Sequence, residues 1–67
     1  MHNEKAAGQN RNYYRRIARH FESAENYREA ERFFVKAGDP SAAVNMYTRN
    51  GMWDEAHGVA ITYMTES

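Results

Sequence analysis

The sequence predicts an all-α fold, two tandem antiparallel helical hairpins stacked as a short α-solenoid. Three observations predict it. Ala30, Phe33, Phe34 and Ala37 fall at i, i+3, i+4 and i+7, which is one face of a helix. Gly38, Asp39 and Pro40 then offer a left-handed stop, an N-cap and a first-turn proline, so a second helix follows through a very tight turn. Finally, a shift of 26 positions (27 to 53) lays the chain on itself. Tyr27, Glu29 and Ala30 land on Trp53, Glu55 and Ala56, while Phe33, Phe34 and Ala37 land on Val59, Ala60 and Tyr63. A half-shift of 13 (38 to 51) works in part, placing Phe33, Phe34, Lys36 and Gly38 on Met46, Tyr47, Arg49 and Gly51. Stacked hairpins of similar sequence are the mark of a solenoid.

The elements follow in order. Residues 1–10 read as a flexible lead-in, because Gly8 and Asn10 discourage a helix and the apolar content is small. The helical-repeat domain covers 11–67, with one hairpin over 11–38 and the other over 39–67. A first helix is expected from about Arg11 to Ala24, with Tyr14, Ile17, Ala18 and Phe21 as its apolar stripe. Its arginines come early and Glu22 and Glu25 late, which runs against the helix dipole. Asn26 with Glu29 reads as a capping box for a second helix, Tyr27 to about Ala37. Ala30 is small enough to let two backbones approach closely. A third helix runs from Pro40 to about Asn50, with Ala43, Met46 and Tyr47 inward and Gly51 as its stop. The fourth begins near Met52 or Trp53 and carries Ala56, Val59, Ala60 and Tyr63. Gly58 inside it lowers helix propensity by about 1 kcal/mol relative to alanine, so either the helix is weak there or something packs closely on that side. Thr62 and Thr65 make the last turn poor, and Glu66 and Ser67 are expected to fray. The repeat core is therefore Ile17, Phe21, Ala30, Phe33, Phe34, Ala37, Ala43, Met46, Tyr47, Trp53, Ala56, Val59 and Ala60.

Composition narrows the function classes. Sixty-seven residues allow one domain, and a chain this short buries only about 60% of its unfolded surface. The chain has no cysteine, so no disulfide can staple it, a weak pointer to an intracellular setting. Net charge is zero, which argues against a strong non-specific polyanion binder and leaves room for a local patch. No apolar run approaches the roughly 20 residues of a membrane span. Two units lie at or below the usual minimum for a self-standing array, which points to a piece of a longer superhelix.

The run from Phe21 to Gly38, and that from Ala43 to His57, carry a resemblance. Together they resemble the tetratricopeptide-like repeats in the helical tails of the large intraflagellar transport subunits. The pattern Met46-Tyr47-x-x-x-Gly51-x-Trp53-Asp54-x-Ala56-His57 is closest to the family of the largest complex B subunit. The repeat period is shorter than the about 34 residues of the commonest tetratricopeptide unit. The likeness covers about Phe21 to Ala60. Phe21, Ala30, Phe34, Ala37, Gly38, Ala43, Tyr47, Gly51, Trp53 and Ala56 occupy structural positions of that family, none of them catalytic. The resemblance implies a non-catalytic scaffold that associates with other proteins, subunits of a ciliary transport complex and adjacent repeats of a parent chain. It implies a place in the cilium or flagellum and the cytoplasm, in association with the cytoskeleton. Gly58 departs from the larger residue usual in that helix, and the Arg11–Arg19 segment matches less well.

The candidate chemistry is sparse. A zinc site needs converging ligands, and His2, His20 and His57 have no partners at ligand spacing. Glu22, Glu25 and Glu29 could share a face, but acid–base work needs a cleft that separates their pKa values, and Glu29 has a structural use as a cap or as a partner of Arg32. Gly38 and Gly51 are isolated helix stops rather than a phosphate loop. Ser23 and Ser41 have no patterned base. No cofactor, metal or small-molecule ligand is implied. One segment has functional colour: Arg11, Arg15, Arg16 and Arg19 with Tyr13 and Tyr14. Arginines among aromatics can meet an acidic protein groove, nucleic acid or a lipid surface. Equally, they can form a solvated face paired with acids of the second helix. If protein association is not its work, the alternative is a small helical adaptor or nucleic-acid binder acting through this segment. Tyr13, Tyr27, Tyr47, Trp53 and Tyr63 exceed what two thin layers bury, so apolar surface is expected on the outer faces of the first and last helices.

Overall fold

The three inter-helix turns follow one plan, and it repeats every 13 positions (25, 38, 51). In each, a residue with positive φ follows the helix: Glu25 at 63°, Gly38 at 78° and Gly51 at 74°. In each, that residue's N–H bonds back three residues and the next N–H bonds back five. The pairs are Glu25 to Glu22 and Asn26 to Phe21, then Gly38 to Val35 and Asp39 to Phe34, then Gly51 to Thr48 and Met52 to Tyr47. These are Schellman turns, which satisfy the last carbonyls of a helix and reverse the chain at once.

The computed structural model describes the backbone of residues 3–64 and the side chains of residues 10–64. Four helices result: α1 Asn3–Ser23, α2 Tyr27–Lys36, α3 Pro40–Arg49 and α4 Trp53–Met64. Each packs on its neighbour in sequence, giving two antiparallel hairpins side by side, the arrangement of a short tetratricopeptide-like solenoid. The slab measures 41 × 32 × 14 Å. Met1, His2 and Thr65 to Ser67 lie outside the described residues, so the expected fraying of Glu66 and Ser67 does too.

Helix α1 begins well before the expected Arg11. Glu4, Lys5, Ala6, Ala7 and Gln9 are favourable helix formers, and together they outweigh the about 1 kcal/mol disadvantage of Gly8. The early start also removes the basic half of the expected dipole mismatch, while Glu22 stays in the last turn of the helix. Arg11 to Arg19 sit in the body of the helix, beyond reach of the partial charge on its first turn.

Neither expected side-chain cap forms. Asn26 and Asp39 occupy the N-cap positions of α2 and α3, but neither caps through its side chain. Both are the last residue of a Schellman turn. Their ψ values, 74° and 68°, fall short of the extended backbone that aims a capping side chain at the helix. The Asn26 N–H is already bonded to Phe21, so Glu29 has no donor there and pairs with Arg32 at 3.7 Å. Pro40 does sit at the first turn of α3, as expected.

The core is a row of small and large residues at the same 13-position step. Ala30 and Ala43 are fully buried and Ala56 nearly so. Beside them lie buried Phe34, Met46, Tyr47 and Val59, with Ala18 from α1 and Ala37 at the second turn. The alanines leave room for backbones to nest, and Met46 and Tyr47 fill the space between the hairpins. Phe21 and Phe33 pack against this core half-buried, their rings stacked at 5.6 Å and 15°. Ile17 and Ala60 are half-buried as well. Trp53 is a correction: the sequence placed it in the core, and it is 65% exposed. Its equivalent one repeat earlier, Tyr27, is half-buried against the core, with its hydroxyl reaching Asn50 of the next hairpin. Among the described residues no further hairpin covers Trp53.

Candidate partner-binding surfaces

The arginine segment divides by function once it is placed on α1. Arg15 turns toward the second turn of the solenoid, where its Nη2 donates to Asp39 Oδ2 at 3.2 Å. Asp39 also accepts a bond from the Ser41 hydroxyl at 2.8 Å. Arg15 is thus a tie between α1 and the α2–α3 turn rather than part of an open patch. Arg11 lies over the same turn, with its Nε 3.9 Å from where a Cβ on Gly38 would stand. Arg16 and Arg19 are exposed and make no ion pair among the described residues. Tyr13 is 61% exposed beside them, its ring 6.0 Å from that of Tyr14.

Arg16 and Tyr13 border an apolar groove of about 310 Å³ on the outer side of α1, completed by Ile17, His20 and Phe21. The His20 ring meets Phe21 edge-on at 5.7 Å. Arginine and tyrosine around an apolar floor is the composition that protein interfaces favour. The sequence pointed to Arg16 and Tyr13 here but not to His20, whose role as a groove wall shows only once the helix is oriented. Tyr14 belongs to the opposite side, against Phe33 at 6.0 Å, and the Lys36 ammonium lies over both rings.

A second groove, of about 230 Å³, lies between α2 and α4 and is lined by Arg28, Glu31, Glu55, Gly58, Val59, Thr62 and Tyr63. Gly58 opens into it, and nothing stands within 4 Å of where its Cβ would be. The close neighbour that the glycine suggested is therefore absent among the described residues. Glu31 has a structural partner: the Tyr47 hydroxyl donates to its Oε1 at 2.7 Å, with the Tyr27 carbonyl at 3.3 Å as a weaker branch. Burial first, and then this bond and the Glu31 charge, push the Tyr47 hydroxyl pKa well above its ordinary value.

A cluster of polar groups ties the two hairpins together. Arg49 Nη2 donates to both oxygens of Glu22 at 2.9 Å, and Asn50 Nδ2 adds a longer bond of 3.3 Å. The same Asn50 amide donates to the Met46 carbonyl, while its oxygen accepts from Tyr27. Of the carboxylates that could have formed an acid–base pair, Glu22 holds Arg49, Glu25 forms a turn and Glu29 faces Arg32. Among the described residues no three His, Cys, Asp or Glu side chains converge on a metal position, and no helix is long and apolar enough to cross a membrane. The outer helices do expose apolar surface as expected: Tyr13 on α1, and Trp53, Tyr63 and Met64 on α4.

Comparison with known proteins gives one consistent likeness. Over 55 residues, 82% of the chain, the sequence is 47% identical to Intraflagellar transport protein 172 of Chlamydomonas reinhardtii. It is 41% identical over 54 residues, 81% of the chain, to the Intraflagellar transport protein 172 homolog of Danio rerio. Intraflagellar transport protein osm-1 of Caenorhabditis elegans is 42% identical over 48 residues, 72% of the chain. The chain spans only 3% of the length of each of these relatives. No protein-family model matches it, and no solved structure does. Over this short stretch, the chain is homologous to proteins of the intraflagellar transport protein 172 family.

Proposed function

We propose that the chain is a non-catalytic scaffold segment of an intraflagellar transport subunit of the largest complex B type. Its work is protein–protein association in the cilium or flagellum, and on its cytoskeletal track. The observation that carries this reading is 47% identity across 82% of the chain to an intraflagellar transport protein, on a stack of helices in which no catalytic cluster is found among the described residues. The outer face of α1 is the partner-binding surface. There Arg16 and Tyr13, with exposed Arg19 on the same helix, present positive charge around an apolar groove, which suits an acidic protein surface. Arg15 contributes less to that surface, since it is paired with Asp39.

A hybrid tests the assignment. The matching stretch of the Chlamydomonas reinhardtii protein is replaced by this chain in cells lacking the native copy, and particle movement is followed by fluorescence. Restored movement is the expected result. A hybrid that accumulates at normal levels yet never enters the flagellum overturns the reading. Carrying Arg16→Glu and Arg19→Glu in the same hybrid tests the surface, since loss of movement with retained helicity is expected if this face engages an acidic partner.

A further inference from the structure

We infer that the Asn50–Gly51 link is a self-modification site. When the junction between the hairpins opens, the Asn50 amide is converted irreversibly to an acid that holds the junction less well.

Asn50 is the one asparagine of the chain followed by glycine. Glycine has no Cβ, so its backbone nitrogen can be approached closely and its backbone turns freely. Asparagine is a thermolabile residue, and such a neighbour exposes that weakness. The turn itself does not call for an amide. The equivalent positions at the other two turns (24, 37, 50) are Ala24 and Ala37. What the amide does is hold the two hairpins together. Its Nδ2 donates to the Met46 carbonyl at 2.8 Å and to Glu22 at 3.3 Å, and its Oδ1 accepts from the Tyr27 hydroxyl at 3.2 Å.

The conversion needs only water and hydroxide. Hydroxide removes the Gly51 amide proton, and that nitrogen attacks Asn50 Cγ. The new bond from nitrogen to Cγ replaces the bond from Cγ to Nδ2, which leaves as ammonia after taking a proton from water. Water then adds to either carbonyl of the cyclic imide and breaks its bond to nitrogen. The product at position 50 is aspartate or isoaspartate, and no atom is oxidised or reduced.

In the folded junction both reactants are held away from each other. The Gly51 N–H is bonded to the Thr48 carbonyl at 3.1 Å, and the Asn50 amide is turned back to Met46 and across to Glu22. Ring closure therefore requires the last turn of α3 to open, and its rate follows the population of that opening. The product closes less well than the amide did. An ionised carboxylate has no donor for Met46 or Glu22, and it sets a second negative charge beside the Glu22 carboxylate. Arg49 already donates to both oxygens of Glu22, so it offsets that charge only in part. Isoaspartate also lengthens the backbone inside a turn whose Met52 N–H meets the Tyr47 carbonyl at 2.8 Å. The seam thus keeps a permanent record of having opened.

Peptide mapping by mass spectrometry, with isoaspartate detected by enzymatic methyl-ester labelling, follows the native chain over time in buffer and in urea at one pH. Conversion should be faster at Asn50 than at any other asparagine, and it should quicken by at least about tenfold in urea. Gly51→Ala should slow it in urea, where the added Cβ crowds the attacking nitrogen. Tyr27→Phe removes the donor to Oδ1 and leaves the link itself unchanged. Folded, this variant should convert severalfold faster than the native chain, with an equal rate in urea. Glu22→Ala makes the same comparison if circular dichroism shows that Tyr27→Phe has lost its helices. Asn50→Asp should melt below the native chain. Equal rates in buffer and urea overturn the inference. So does faster conversion at another asparagine, a folded rate that neither variant alters, or a native melting temperature for Asn50→Asp.

Discussion

Tyr47 of the second hairpin donates its hydroxyl proton to Glu31 of the first across 2.7 Å, and the ring behind that hydroxyl is wholly buried. The junction between hairpins thus couples the largest buried side chain to a half-exposed carboxylate. The arrangement lets an aromatic fill the seam while its polar tip ends at the seam's edge.

Replacing Tyr47 by Phe keeps the ring and removes the donor. The loss should be about 1.5–3 kcal/mol, as for a hydrogen bond to a charged acceptor. In a domain of this size it lowers the melting temperature by roughly 4–8 °C per kcal/mol. The variant should also change the alkaline response. The folded-state pKa of this hydroxyl is raised, so its contribution is complete below the unfolded value of about 10 and fades as pH climbs above it. Stability of the native chain should fall more steeply above about pH 10 than that of the Phe variant. Equal slopes in denaturant titrations at several pH values would remove the Glu31 bond from this account.

The turns make a three-way comparison. Glu25 holds a left-handed backbone that the other two turns give to glycine. Glu25→Gly should stabilise the chain by roughly 0.5–1 kcal/mol, the relief of backbone strain less the added freedom of the unfolded chain. Gly38→Ala and Gly51→Ala should each destabilise by about 1 kcal/mol. The space around both glycines is adequate for a methyl group, so the effect at each is conformational. Urea midpoints of the three variants should fall on opposite sides of the native value; a common direction would contradict the shared turn geometry.

The alanine row sets how closely the helices approach. Ala43→Leu inserts three heavy atoms where no surface is open to solvent. Overpacking of that kind should destabilise by about 1–3 kcal/mol. An unchanged thermal midpoint would show that the helices have room to spare at this position.

Much of the architecture is legible in the sequence because it depends on local signals. Gly38 and Gly51 announce their turns, Pro40 announces a helix start, and the alanines and aromatics recur in step. The first turn is not legible in the same way, since glutamate gives no hint of positive φ; only its spacing from Gly38 and Gly51 betrays it. The failed caps have a related cause. Asn26 and Asp39 carry the right side chains, but the preceding turn claims their backbones first. Among the candidate site residues, Arg11, Arg15, Arg16 and Arg19 read alike as a basic run. Their division into ties and open charges depends on Asp39, 24 positions from Arg15. Trp53 reads as core because its repeat equivalent Tyr27 is covered, and a repeat pattern carries no information about which unit has a neighbour.

The uniform turn has a mechanical corollary. Three-residue links leave no slack between helices, and most contacts stay close in sequence, so load on the ends would pass from each helix to the next. Under tension such a spring would unspool one step of about a dozen residues at a time, the outermost first, and rewind quickly when released.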